Sequence, residues 1–149
     1  LIFGIIQKDL VKKIDDKNSL PDRIEGIEEL FNILCESINL RQIADQIQDF
    51  IQFLIQYIND SNPVVVAVSL KILNLVLTKA QITKQFKVKS LIPMLVKRYS
   101  EKSIEVRRET TKVFQQLLKI FRIREFVEFL LPYLNYPHYN IKQEMVNLL

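Results

Sequence analysis

The sequence has 149 residues, 48% of them hydrophobic and 26% charged, with a formal net charge of +4, an ordinary balance for a soluble domain able to bury one sizeable core. Two glycines and five prolines are too few for the many turns of a sandwich or barrel, and one cysteine excludes an internal disulfide. No apolar run approaches the ~20 residues of a membrane-spanning helix, and LIFGII at the start is too short for a secretory apolar core, so the chain reads as cytosolic, with no membrane partner.

In chain order, residues from about Ile2 to Ile14 predict an amphipathic helix, followed by the polar turn DDKNSLP. Ser19 with Asp22 three positions later resembles a capping box, and Pro21 suits an early helical position. A second helix is expected from about Asp22 to Glu36, with Ile24, Ile27, Phe31, Leu34, Cys35 and Ile38 on its apolar stripe. Cys35 on that stripe reads as a buried structural thiol. Glu25, Glu28 and Glu29 read as a solvated polar face rather than as acid–base pairs. An outer helix from about Arg41 to Ile58 then leads into NDSNPVVVAVSLKILNLVLT, Asn59 to Thr78. Here Asp60, Ser61, Asn62 and Pro63 stop one helix and start the next. The β-branched run beyond them is too long for an ordinary strand, and its mixed spacing of three and four suits a buried inner helix. Asn59-Asp60-Ser61 also spells a glycosylation sequon, which carries no weight in a cytosolic chain.

The same turn-then-helix arrangement returns twice. Counted from Asp60, Glu101 and Tyr136, an aliphatic residue falls five positions on, at Val65, Val106 and Ile141, and Arg107 and Lys142 follow the last two. Each turn also follows an apolar helix. Period and order match a helix-turn-helix repeat of roughly 35–45 residues, the HEAT/armadillo size class. The fold class is therefore all-α, an α-solenoid of antiparallel helical hairpins at about residues 2–37, 41–78, 90–120 and 125–149, forming a single helical-repeat domain. The intra-hairpin turns Asp15–Pro21, Asp60–Pro63, Ser100–Ser103 and Asn135–Tyr139 are expected along one edge, and the connectors along the other. The chain opens on Leu1 and ends at Leu149 inside an apolar pattern, as expected of part of a longer array.

LPDRIEGIEEL (Leu20 to Leu30), followed after an outer helix by NDSNPVVVAVSLKILNLVL, resembles the opening of TOG domains, the tubulin-binding HEAT arrays of microtubule regulators. Arg23, Glu25, Gly26 and Glu28 fit the family's first helix, and Asp60, Ser61 and Asn62 its later turn. Leu20 stands where the family has a Trp. The resemblance implies a non-catalytic module that binds tubulin or the microtubule lattice through its turns. Leu20 would fill a shallow apolar contact and the Asp60–Pro63 turn would touch polar groups. A cytoskeletal location follows, in the cilium, axoneme or centrosome as for divergent members of the family.

Charge adds a separate argument. Residues 81–124 hold twelve Lys and Arg against three acids, whereas residues 1–80 hold eight against eleven. Lys97, Arg98, Lys102, Arg107 and Arg108 flank the third turn and would steer and hold an acidic tubulin surface. The bland alternative is a solvated face with a repeat-to-repeat ladder in which Arg107 pairs with a turn acid such as Asp60. Lys84, Lys87 and Lys89 belong to the connector and should face the other way. Tyr136 and Tyr139 are candidates for partner contact; His138 shares their turn as a surface histidine, with no second His or Cys to make a metal site. No phosphate-binding glycine motif, Cys/His nucleophile pattern or metal cluster is present, so neither an enzyme nor a cofactor is expected. A generic HEAT adaptor gripping another protein in its groove is the main rival. Nucleic-acid binding is third, because the first half is acidic and no aromatic-basic platform exists.

Overall fold

The computed structural model describes residues 1–82 and 86–133, together with positions 143, 144 and 147; of Ile123 only the backbone is described. Among these residues every extended element is a helix, and the backbone contacts fall into two compact units, Leu1–Phe86 and Lys87–Leu149.

In the first unit the helix expected from Ile2 begins only at Lys8. Ile2 and Ile6 exchange backbone hydrogen bonds of 2.7 and 2.9 Å across a tight reversal, with Phe3 at φ 53° and Gly4 at φ 73°. Left-handed backbone is cheap for Gly4, so the one residue without a Cβ in LIFGII is where the chain folds back. The apolar hexamer is thus a strap: Ile6 is fully buried, and the Phe3 ring meets Phe50 and Phe53 edge-on at 5.4 and 5.9 Å.

Helix α1 (Lys8–Ile14) and helix α2 (Leu20–Glu36) form the first hairpin. They approach closely at Gly26 of α2: a Cβ there would lie 2.9 Å from Ile14 Cγ1. The expected outer helix is divided into α3 (Arg41–Asp45) and α4 (Ile47–Ile58) at Gln46, which leaves helical dihedrals at φ −115°, ψ 35°. Both pieces keep an apolar face on the core, through Ile43 on the first and Ile47, Phe50, Ile51 and Leu54 on the second. Helix α5 (Pro63–Lys79) is buried along nearly its whole first half, Val65 through Leu70, and lies between α2 and α4. Such a helix cannot show a narrow apolar stripe, which is why its sequence imitates a strand. Ser69, buried with it, donates to Val65 O at 2.7 Å and leaves no bare hydroxyl.

Two contacts fix the direction of the inner helices. Arg23, near the start of α2, pairs with Asp60 just before α5, and Lys79 at the end of α5 donates to the carbonyls of Leu34 and Cys35 at 3.1 and 2.6 Å. Helices α2 and α5 therefore run parallel with matching ends, and Lys79 closes open carbonyls of its neighbour. This end is also where two readings fail. Cys35 is exposed rather than buried, and Ile38 lies beyond the helix, fully exposed. The core face of α2 is Ile27, Leu30 and Leu34, and Cys35 is turned one position away from it.

In the second unit a 3₁₀ turn, Val88–Ser90, leads into α6 (Ile92–Arg98), which forms a hairpin with α7 (Ile104–Ile120). Helix α8 (Ile123–Leu130) follows and ends in a 3₁₀ turn, Leu131–Tyr133. Phe114 holds this core together, stacked on Tyr99 at 5.8 Å and edge-on to Phe126 at 6.0 Å. The phenol of fully buried Tyr99 lies 2.9 Å from Thr111 Oγ1, so its one polar atom is satisfied. The turn expected at Asn135–Tyr139, and most of the helix after it, lie outside the described residues.

Candidate partner-binding turn edge

Each described intra-hairpin turn ends in a side-chain cap that starts the next helix. Ser19 Oγ accepts from Asp22 N at 3.3 Å, Asn62 Oδ1 from Val64 N and Val65 N at 2.9 and 3.2 Å, and Ser103 Oγ from Val106 N at 3.3 Å. A short polar residue with extended backbone satisfies amide groups that a helix start leaves open. Asn62 and Ser103 are therefore structural parts of their turns before they are anything else.

In the first unit the two turns are tied side by side. Arg23 donates through Nε to Ile14 O at 2.9 Å and pairs through its terminal nitrogen with Asp60 Oδ2. Tyr57, at the end of α4, donates to Asp15 Oδ1 at 2.7 Å, at the end of α1. Burial, and then the Asp15 carboxylate that accepts its hydrogen bond and opposes a phenolate, push the Tyr57 phenol well above its ordinary value. Asp60 Oδ1 also accepts from Asn62 N at 2.8 Å. Both oxygens of Asp60 are thus engaged, and its side chain is only 12% exposed, which makes it a brace rather than a free contact. What this edge offers outward is Ser61, exposed in the turn, with Leu20 and Val64 each about two-fifths exposed at the starts of α2 and α5. Because those helices start at the same end, Leu20 and Val64 present an apolar step beside a polar turn.

In the second unit the five cations divide into two kinds. Arg107 donates to Glu101 O and Lys102 O at 2.6 and 3.3 Å, and Arg98 pairs with Glu101 at 3.3 Å; together they hold the turn closed. Of the ladder expected between Arg107 and Asp60, each partner is engaged within its own unit: Asp60 with Arg23, and the Arg107 guanidinium with carbonyls of its own turn. Lys97 and Lys102 stand exposed, as does Arg108, which carries a loose 3.4 Å contact to Glu105. These three are the exposed cations of the five. Tyr136, His138 and Tyr139 lie outside the described residues, as does Lys84.

Reading the sequence assigned no role to Tyr57, Asp15 or Val64. Tyr57 could not be found by periodicity, because it falls on the apolar stripe of α4 and only its hydroxyl reaches the neighbouring turn. Val64 was hidden within a run of buried valines.

The repeated hairpins, capped turns and buried inner helix define the class as an all-helical, HEAT-like α-solenoid. No family model matches the sequence. The chain is 26% identical over 148 residues, 99% of its length, to TOG array regulator of axonemal microtubules protein 1 of Homo sapiens, and 26% identical over 148 residues to the protein of that name in Mus musculus. It spans only 9% and 8% of those relatives. A solved structure described as "Crescerin uses a TOG domain array to regulate microtubules in the primary cilium" matches with a TM-score of 0.80 at 26% identity, covering 99% of this chain and 60% of that one. In fold and in sequence, then, the chain is an all-helical repeat domain similar to TOG domains.

Proposed function

We propose that this chain is a non-catalytic module that binds tubulin or the microtubule lattice through the turns within its hairpins, as one helical array over residues 1–149 of a cytoskeletal protein of the cilium. The observation that carries the reading is the lateral tie of the first two turns by Arg23–Asp60 and Tyr57–Asp15, which holds Leu20, Ser61 and Val64 on a common rim. A rigid rim matters because ordering loops at an interface would subtract from affinity. The relatives are named for regulating axonemal microtubules, and the solved structure for regulating them in the primary cilium. Leu20 and Val64 give a modest apolar contact in place of one large aromatic side chain. Lys97, Lys102 and Arg108 add long-range attraction to an acidic lattice, an effect that weakens as salt is added. No bond is made or broken; the work is recognition and positioning.

The test is co-sedimentation with microtubules, alongside size-exclusion chromatography with soluble tubulin. Charge reversal at Lys102 and Arg108, and Leu20→Ser in a second variant, are each expected to weaken binding several-fold with helicity intact. Unchanged binding in both variants moves the contact off the turn edge.

A further inference from the structure

The second unit has another set of cations away from its turn. The end of α7 and the start of α8 meet about 25 Å along α7 from the Ser100–Ser103 turn, whereas the seven residues of α6 carry its start only about 10 Å from that turn, beside the far end of α8. Lys89 precedes α6, Lys119 is in the last turn of α7, and Arg122 and Arg124 open α8. All four are exposed, and none takes part in an ion pair among the described residues. Lys119 is explained locally, since a cation suits a helix end of that polarity. Arg122 and Arg124 are not: they sit at the positive end of α8, with Glu125 the one acid in its first turn.

Beside this cluster lies a groove of about 400 Å³ lined by Lys89, by Ile92 and Pro93 of α6, and by Phe129, Pro132 and Tyr133 at the far end of α8. Lys89 lines the groove itself. Arg124 stands one turn from Glu128, which also lines the groove, so cations and slot adjoin along the same face of α8.

We propose that the face running along α8, from Arg122 and Arg124 to the groove beside Lys89, is a docking site for an acidic polypeptide segment carrying an aliphatic or aromatic side chain, distinct from the turn edge. Lys89, Lys119, Arg122 and Arg124 attract the acidic residues, and the groove between Pro93 and Phe129 takes the apolar one. Charge complementarity selects the class of partner. A recessed slot of rings and prolines accepts a side chain, whereas Leu131, the one exposed leucine nearby among the described residues, is too little apolar surface to hold a bilayer. Glu128 in the groove repels a phosphate backbone, and a polypeptide can answer it with a neutral residue at that point.

The probe is a fluorescein-labelled peptide of glutamates interrupted by two leucines, titrated into the whole chain and followed by anisotropy. Combined Lys119→Glu, Arg122→Glu and Arg124→Glu should weaken binding about tenfold with the circular dichroism spectrum unchanged. Replacing the two leucines of the peptide by serine should weaken it several-fold, a comparison that leaves the protein untouched. Lys102→Glu with Arg108→Glu at the turn edge should weaken the peptide no more than about twofold, through net charge alone. Equal affinity for the triple variant overturns the proposal. So does loss of binding in the turn-edge variant, or capture by phosphatidylserine vesicles of a chain that ignores the peptide.

Discussion

Arg23 and Asp60 meet across two successive hairpins, with side chains 16% and 12% exposed, and the same guanidinium also takes the open carbonyl of Ile14. One side chain thereby joins the end of α1, the start of α2 and the turn before α5.

Removing that side chain leaves Asp60 half-buried without its cation and Ile14 O without its donor. Arg23→Ala should destabilise the chain by about 2–3 kcal/mol, seen as a lower urea midpoint. In Arg23→Ala/Asp60→Ala the total loss should fall short of the sum of the single variants by about 1 kcal/mol. Strict additivity would show that the pair is not coupled.

High pH should act through the two buried phenols. Burial, reinforced for Tyr57 by the Asp15 carboxylate, raises Tyr57 and Tyr99 above the ordinary value of 10.0. For a group whose folded value is raised, the contribution is present in full below the unfolded value and is lost as pH climbs from there towards the folded one. Stability should therefore be flat in this respect up to about pH 10 and then fall, by about 1.4 kcal/mol per pH unit for each phenol. Tyr57→Phe should halve the alkaline slope in urea titrations at stepped pH; an unaltered slope would assign the loss to other groups.

Asn62→Ala removes the acceptor for two amide groups at the start of α5 and should cost about 1 kcal/mol, with Asn62→Asp close to neutral. Equilibrium unfolding of the two variants side by side separates this capping role from partner contact, since only the latter affects microtubule binding at constant stability.

Gly26→Ala pits helix propensity against packing. Alanine favours the helix by about 1 kcal/mol. The added carbon, however, lies 2.9 Å from Ile14 Cγ1 and 3.3 Å from Ile14 N, and a backbone atom cannot rotate aside. The expected outcome is a net loss of about 1 kcal/mol by thermal or urea unfolding. A more stable variant would show that α1 and α2 can move apart freely.

Cys35 should be labelled by a maleimide under native conditions, without loss of helicity. Reaction only in denaturant would return it to the core.

What the sequence by itself determined is local. Ser19, Asn62 and Ser103 could be read as helix starts because a cap and the amide it satisfies are two or three residues apart. The inner helix Pro63–Lys79 was readable because its apolar run outlasts a strand. Only the tertiary structure decided which charged groups are free. Arg23 and Asp60 are 37 positions apart, Tyr57 and Asp15 are 42, and no spacing rule selects such partners. The same holds for LIFGII, whose hydrophobicity suits a helix or a strap equally until Phe50 and Phe53 supply a surface for Phe3. Of five cations assigned to one cluster, Arg98 and Arg107 became braces because Glu101 and two carbonyls lay within their reach, leaving Lys97, Lys102 and Arg108 facing outward. Composition records how many charges a segment carries, and folding spends some of them on itself.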